Sequence, residues 1–258
     1  MILMNREHII DLNSEAVRLE SFDISGYEIK AQLGSSRGLC GSVLHGISLG
    51  ERDVKIEGYI ASSHEEKRHA LAKICSQNEP FYLVDGEYRL ELVAKRGPEL
   101  SCQKRFLNKL LKFTIYARSV NPLWQASQEQ VVQFYSIGGV SDESKNMKIT
   151  NSGDVPVGFL LEVSMRTSAD KLIITKNSER IEISHSFEIG DKVFIDTRRG
   201  KKGVEVLLSQ NNKLISIINE LSLGSTLFEL DVGENTLGFS VLTGLTNMKF
   251  LFSPCYLR

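Results

Sequence analysis

Two aspartates five residues apart, Asp191 and Asp196, sit before a burst of four cations, RRGKK, in FEIGDKVFIDTRRGKKGVEVLL, residues Phe187 to Leu208. Paired carboxylates serve general acid–base chemistry, and a glycine-containing basic loop can cradle phosphate. Neither use fits the local pattern. Val193 and Ile195 alternate with Lys192, Phe194 and Asp196, which is the period of a strand. Asp191 and Asp196 are an odd number of positions apart, so a strand points them to opposite faces. A phosphate loop ends in Gly-Lys-Ser/Thr and feeds a helix, whereas Gly200-Lys201-Lys202-Gly203 feeds the β-rich run GVEVLL. The stretch reads as two strands, with Gly190-Asp191 a turn entering the first and Arg198 to Gly203 a turn leaving it.

The other candidates fail on similar grounds. His64 and His69 in HEEKRH are five apart, about 140° around a helix, where a zinc-protease helix needs histidines four apart on one face. The expected role is a polar face at a helix start. Cys40 and His45 in LCGSVLHG would need a third, orienting group to make a nucleophile, and none is marked. Odd spacing on a strand also separates them, so a buried thiol and a surface histidine are expected. His185 has no partner that the sequence identifies. Trp124, the single tryptophan, could stack on a sugar or a base, but a packing anchor at a domain junction is the better reading. Arg18, Arg37, Arg52, Lys55 and Arg68 are scattered and form no stripe. No catalytic, cofactor-binding or metal-ligating set emerges, and no cofactor is expected. The chemistry on offer is that of sheets, edges and loops.

Composition bounds the class. The 258 residues suffice for one large domain or two ordinary ones. Lys plus Arg is 31 and Asp plus Glu 32, so the basic excess of a nucleic-acid-wrapping protein is missing. The four cysteines, Cys40, Cys75, Cys102 and Cys255, are too far apart for a Cys-x-x-Cys motif and read as reduced thiols. Charge at Arg6, Glu7, Asp11 and Glu15 interrupts any signal-peptide core, and no apolar run is long enough for a membrane span. A soluble protein, not exported by the usual signal, is expected.

Most of the chain reads at period two. RDVKIEGYIA places Val54, Ile56, Gly58 and Ile60 on one face, against Asp53, Lys55, Glu57 and Tyr59. LLKFTIYAR alternates in the same way. FYLVDGEYRLEL is a hairpin, since Asp85-Gly86 accepts the positive φ of a tight turn. One helix is expected near 64–76, begun by a capping box of Ser63 and Glu66 and carrying an apolar stripe of Leu71, Ile74 and Cys75. SQEQVVQFY, from Ser127 to Tyr135, reads as a weaker helical or irregular piece. Ile137 to Asp154 is rich in Gly, Ser, Asn and Asp and reads as a linker or crossing. The apolar pattern restarts with Val157, Phe159, Leu161, Val163 and Met165 on one face, and short strands with turn chemistry follow. The expected class is mainly β with one short helix. The expected division is a domain at 1–138, a linker at 139–154 and a β-sandwich at 155–258.

Several segments, in order, resemble the distal tail proteins (Dit) of long, non-contractile-tailed bacteriophages. They are ISGYEIKAQLGSSRG; RDVKIEGYIASSHEEKRHAL, with Arg52, Gly58 and Arg68; FYLVDGEYRLEL; NKLLKFTIYARSVNPLWQ; NSGDVPVGF; FEIGDKVFIDTRRGKKGVEV; ELDVGENTLGFSV; and MKFLFSPCYL. The resemblance implies an N-terminal ring-forming β domain and a C-terminal galectin-like β-sandwich. It implies a structural virion protein rather than an enzyme: a homo-hexameric hub at the tail tip, assembled in the host cytoplasm. Its implied partners are the tail tube protein and the tail fibre, spike or baseplate proteins, with no sequence-specific nucleic acid and no membrane. The ring-forming arm falls in the first fifty residues or in Ile137 to Asp154. The alternative reading is a carbohydrate-binding module recognising host-wall glycans through residues 155–258.

Overall fold

The structure, a computed structural model, describes residues 1–34, 42–76, 79–103, 110–137, 145–242 and 246–258. They fold as two units, Met1–Ser127 with Arg258, and Gln128–Leu257. Strands dominate both, and there is a single α-helix among the described residues.

The first unit contains β1 (Ile2–Met4), β2 (Ile9–Asp11), β3 (Val17–Ile24), β4 (Ile29–Gly34), β5 (Val43–Leu49), β6 (Arg52–Ile60), α1 (His64–Ile74), β7 (Phe81–Asp85), β8 (Tyr88–Ala94), β9 (Glu99–Gln103), β10 (Leu110–Ser119) and β11 (Trp124–Ala126). Its antiparallel path runs β2-β1-β7-β8-β10-β6-β3, with β9 on β10 and β11 on β8. The alternation in β6 has the expected consequence. Val54, Ile56, Gly58 and Ile60 are buried while the intervening side chains reach solvent. Gly58 faces Phe113 across the β6–β10 pair, and a Cβ there would meet that ring at 2.6 Å and the Arg18 carbonyl at 2.5 Å. The aromatic ring fills the place of the missing side chain. The β7–β8 hairpin closes through Gly86 at φ 61 and Glu87, with Asp85 paired to Tyr88.

Helix α1 buries Leu71 and Ile74, and Cys75 at its C-cap is also buried. Its start corrects the capping box. Ser63 adopts a left-handed conformation (φ 50, ψ 44), and its side chain makes no cap hydrogen bond. The Ser63 carbonyl instead accepts from Lys67 N at 2.9 Å.

The second unit contains β12 (Gln130–Ile137), β13 (Lys145–Asn151), β14 (Leu160–Met165), β15 (Ala169–Lys176), β16 (Glu179–Phe187), β17 (Lys192–Asp196), β18 (Gly203–Leu207), β19 (Leu214–Ser216), β20 (Gly233–Leu242) and β21 (Thr246–Phe252). They form a six-stranded sheet, β12-β21-β14-β17-β18-β19, and a four-stranded sheet, β13-β20-β15-β16. Phe159, Leu161, Val163, Val193, Ile195 and Phe250 are buried from the first sheet side, and Leu172, Ile174, Ile181 and Phe239 from the second. Phe159 packs on Phe228 and Phe250 with ring centroids 5.8 and 5.4 Å apart. Two sheets with alternating buried residues make the expected sandwich.

Two expectations change here. Residues 130–137 are a strand rather than a helical or irregular piece, because Val131, Val132 and Phe134 are β-branched or aromatic and pair along β21. The division between units falls at 127/128, and β13 occupies 145–151 within the span read as a linker. Its polar residues mislead, since the buried face has two apolar side chains, Met147 and Ile149, and ends in the polar Asn151. Residues 138–144 lie outside the described residues.

Candidate assembly surface

Strands β4 and β5 form a two-stranded sheet of their own. The base of this ribbon grows out of the body. Ile24 pairs with Val54 in the β3–β6 ladder, and Ile29 pairs with Leu49 in the β4–β5 ladder, five residues further on each strand. One register therefore runs through both ladders. Between them, Ser25 N donates to Asp53 O at 2.9 Å, Asp53 N donates to Ser25 Oγ at 2.8 Å, and Gly50 N donates to Glu28 O at 2.6 Å. The paired residues Ile29/Leu49, Ala31/Ile47 and Leu33/Leu44 share one face, while Lys30, Gln32, Gly46 and Ser48 share the other. That apolar face is uncovered, with Ile29 at 63%, Leu33 at 64% and Ile47 at 64% exposure. A bulge between Gln32 and Leu33 leaves His45 as the extra residue, and its ring fills the space a side chain on Gly34 would need.

Arg52 secures the foot of the ribbon. It is 5% exposed, and its Nε donates to the Ser25 carbonyl at 2.9 Å. Its Nη1 donates to the carbonyls of Pro122 at 3.2 Å and Arg258 at 2.5 Å, and the guanidinium lies over the Tyr27 ring at 5.7 Å. Burial lowers its pKa, but an arginine starts so high that the charge remains. A residue read as one of several scattered cations is thus a buried clamp. Only the alternation that puts position 52 on the Val54 face could have signalled it.

The solvent face of β3, β6 and β10 carries a charge ladder. Lys112 Nζ meets Glu20 at 2.7 Å and Glu57 at 3.7 Å, and Lys55 meets Glu57 at 3.1 Å. Asp53 receives Lys95 at 2.7 Å and Arg118 at 3.0 Å. The Lys112 hydrogen bond holds the Glu20 carboxyl below its usual range, and those from Lys55 and Lys95 do the same for Glu57 and Asp53. A general acid needs the opposite shift. The ladder is a surface of fixed charge, and proton transfer is not what it is built for.

The residues weighed in the sequence fall apart as sites. Asp191 is buried and accepts from Glu188 N at 2.9 Å and Ser209 N at 2.7 Å. Asp196 accepts from Arg198 N at 3.0 Å and from its guanidinium at 2.9 and 2.7 Å. Each carboxylate fastens its own turn. Neighbouring Thr197 exchanges hydrogen bonds with the Phe159 backbone, N–H at 2.9 Å and C=O at 3.2 Å. In the Gly-Glu-Asn turn, Asn235 accepts from Asp231 N at 2.8 Å and donates to the carbonyls of Asp231 and Gly233 at 2.8 and 3.0 Å.

His64 and His69 lie on α1, and His69 is exposed. Cys40 lies outside the described residues, and so does any pairing of it with His45. His185 has a partner the sequence hid, Glu220, with Nδ1 to Oε2 at 2.5 Å. Trp124 is buried, with the Arg258 guanidinium 5.3 Å from its ring. Among the described residues, no three metal-type side chains converge, and no helix is long and apolar enough to cross a membrane. Burial pushes the Cys75 thiol up to about 12, far from a reactive thiolate.

Residues 152–256 match the family described as siphovirus-type tail component, C-terminal domain (SPP1 Dit). The match lies within the second unit. No curated protein matches the chain. Among solved structures, the chain is similar to the Dit protein of phage SPP1, described as a paradigm of the hub adsorption apparatus in phages infecting Gram-positive bacteria. The identity is 13%, with 91% of this chain and 92% of that chain covered and a TM-score of 0.63. A chain of the phage P2 baseplate, in its activated conformation with Ca, matches at 10% identity over 95% and 93%, with a TM-score of 0.55. The same baseplate with Sr gives 10% over 96% of each chain and a TM-score of 0.52. The distal tail resemblance read from the sequence thus holds. The siphovirus tail-component match falls at 152–256 within the second unit, and the fold likeness extends over the first.

Proposed function

We propose that this chain is a structural distal tail protein that closes into a hexameric ring at the phage tail tip, a hub joining the tail tube to the host-adsorption apparatus. The carrying observation is the uncovered apolar face of the β4–β5 ribbon. An isolated two-stranded ribbon is marginal in water, and a bare aliphatic face on one needs a surface to lie on. A second copy of the chain supplies it in the same orientation at every joint, which is the geometry of a closed heterologous ring. The fold likeness to the Dit of SPP1, described as a hub, and to a baseplate chain of phage P2 supports the placement. The ring acts as wall and connector, without a catalytic role. Assembly in the host cytoplasm follows from its being a virion part.

Light scattering on a sizing column with negative-stain imaging of the main peak tests this. A ring of six, or two stacked rings, is expected. A chain that stays monomeric at high concentration and binds no tail protein would overturn it.

A further inference from the structure

The second unit has a groove on the solvent side of its six-stranded sheet, with a volume of about 510 Å³. Its floor is strand: Leu160 of β14 pairs with Asp196 of β17, and in the next row Phe194 lies opposite Glu205 of β18. Leu214 and Ile218 supply further apolar lining from β19 and the short helical turn after it. The β17–β18 turn contributes Arg198, Lys201 and Lys202.

The charges there are unevenly committed. Arg198 is held by Asp196 through two contacts of 2.9 and 2.7 Å. Among the described residues, neither Lys201 nor Lys202 has a carboxylate within ion-pair distance, and the Lys202 ammonium donates only to the Leu227 carbonyl at 3.3 Å. Glu205 is exposed and pairs with no cation. Among the described residues, the groove therefore presents a half-exposed aromatic ring, aliphatic neighbours, a carboxylate and two ammonium groups without ion-pair partners, and the Ser216 hydroxyl within one lined space.

A ligand that uses all of these has an apolar C–H face for the ring, hydroxyls for the carboxylate and serine, and an anionic substituent for the lysines. A sugar chain bearing phosphate has each. An acidic peptide has only the last in full. It would set its own carboxylates against Glu205. We propose that this groove binds a phosphate-bearing glycan. The assignment rests on the second unit and holds whether or not the chain forms rings.

The test is calorimetric titration of the full-length chain with chemically phosphorylated dextran oligomers, plain dextran oligomers and polyglutamate of matched charge. The phosphorylated oligomers should bind, plain dextran more weakly and polyglutamate not at all. The double change Lys201→Glu, Lys202→Glu should weaken the phosphorylated ligand by about tenfold or more, and added salt should act in the same direction. Phe194→Ser should weaken both dextrans, with circular dichroism confirming the fold. The lysine changes lie on an exposed turn and keep the test decisive if the Phe194 variant misfolds. No binding of the phosphorylated oligomers, or binding that both variants leave unchanged, overturns the site. Equal binding of polyglutamate overturns the glycan assignment in favour of an acidic peptide.

Discussion

Asp191 shows how a residue suited to catalysis becomes a fastener. Its carboxylate is consumed by two backbone N–H groups, so Asp191→Ala should cost about 1–3 kcal/mol in urea unfolding, with both donors orphaned. Gly58 is constrained from the opposite direction. Gly58→Ala pushes a methyl into the Phe113 ring and the Arg18 carbonyl, and should cost about 1–3 kcal/mol in the same assay. Acid sensitivity is also a residue property. Glu20, Asp53 and Glu57 have lowered pKa values in the folded chain, so their contribution is present above the ordinary carboxylate range and lost as the pH falls through their folded values. Thermal unfolding should be level near neutral pH and decline below about pH 4, with salt at neutral pH eroding the same exposed contribution. Lys55 and Lys112 are raised, so their share is lost only on the alkaline side. The sequence excluded Asp191 and Asp196 as a pair by parity. It could not give Arg52 its carbonyl partners or His185 its glutamate, because those partners lie 27 to 206 residues and 35 residues away along the chain.

At the scale of elements, period-two alternation was enough to read β6, β10, β14 and the β7–β8 hairpin, where one face is core and the other solvent. It failed at β12, whose run of adjacent apolar residues has no strict period, and at β13, whose inward side chains are Met147, Ile149 and the polar Asn151. Ser63 failed differently. The capping pattern was present, but the chain enters α1 in a left-handed conformation in which the Ser63 side chain makes no cap hydrogen bond. The β4–β5 ribbon carries the sharpest prediction. Leu33→Lys and Ile47→Lys on its bare face should abolish rings in light scattering. Each should leave subunit stability within about 0.5 kcal/mol, because exposed positions contribute little to the lone chain.

On the scale of the whole molecule, the class, one helix and a β-sandwich in the second half were legible, because each strand repeats the same simple pattern. The division between units was not, since polar strands and polar connectors look alike in composition. Residues 128–257 hold an aromatic and aliphatic core of their own, so this fragment should fold alone and melt in a single transition followed by circular dichroism. A ring, by contrast, is a property of many chains, and only the uncovered ribbon points to it. That ribbon shares one register with the ladder of the body, and this limits how such a protein can change length over evolutionary time. Two residues gained on each strand lengthen the reach and keep the adhesive side facing as before. One residue gained on each leaves the pairing intact but turns everything beyond it over. Ribbon lengths among descendants should therefore come in even steps, with odd ones absorbed only where a bulge like that at His45 restores the count.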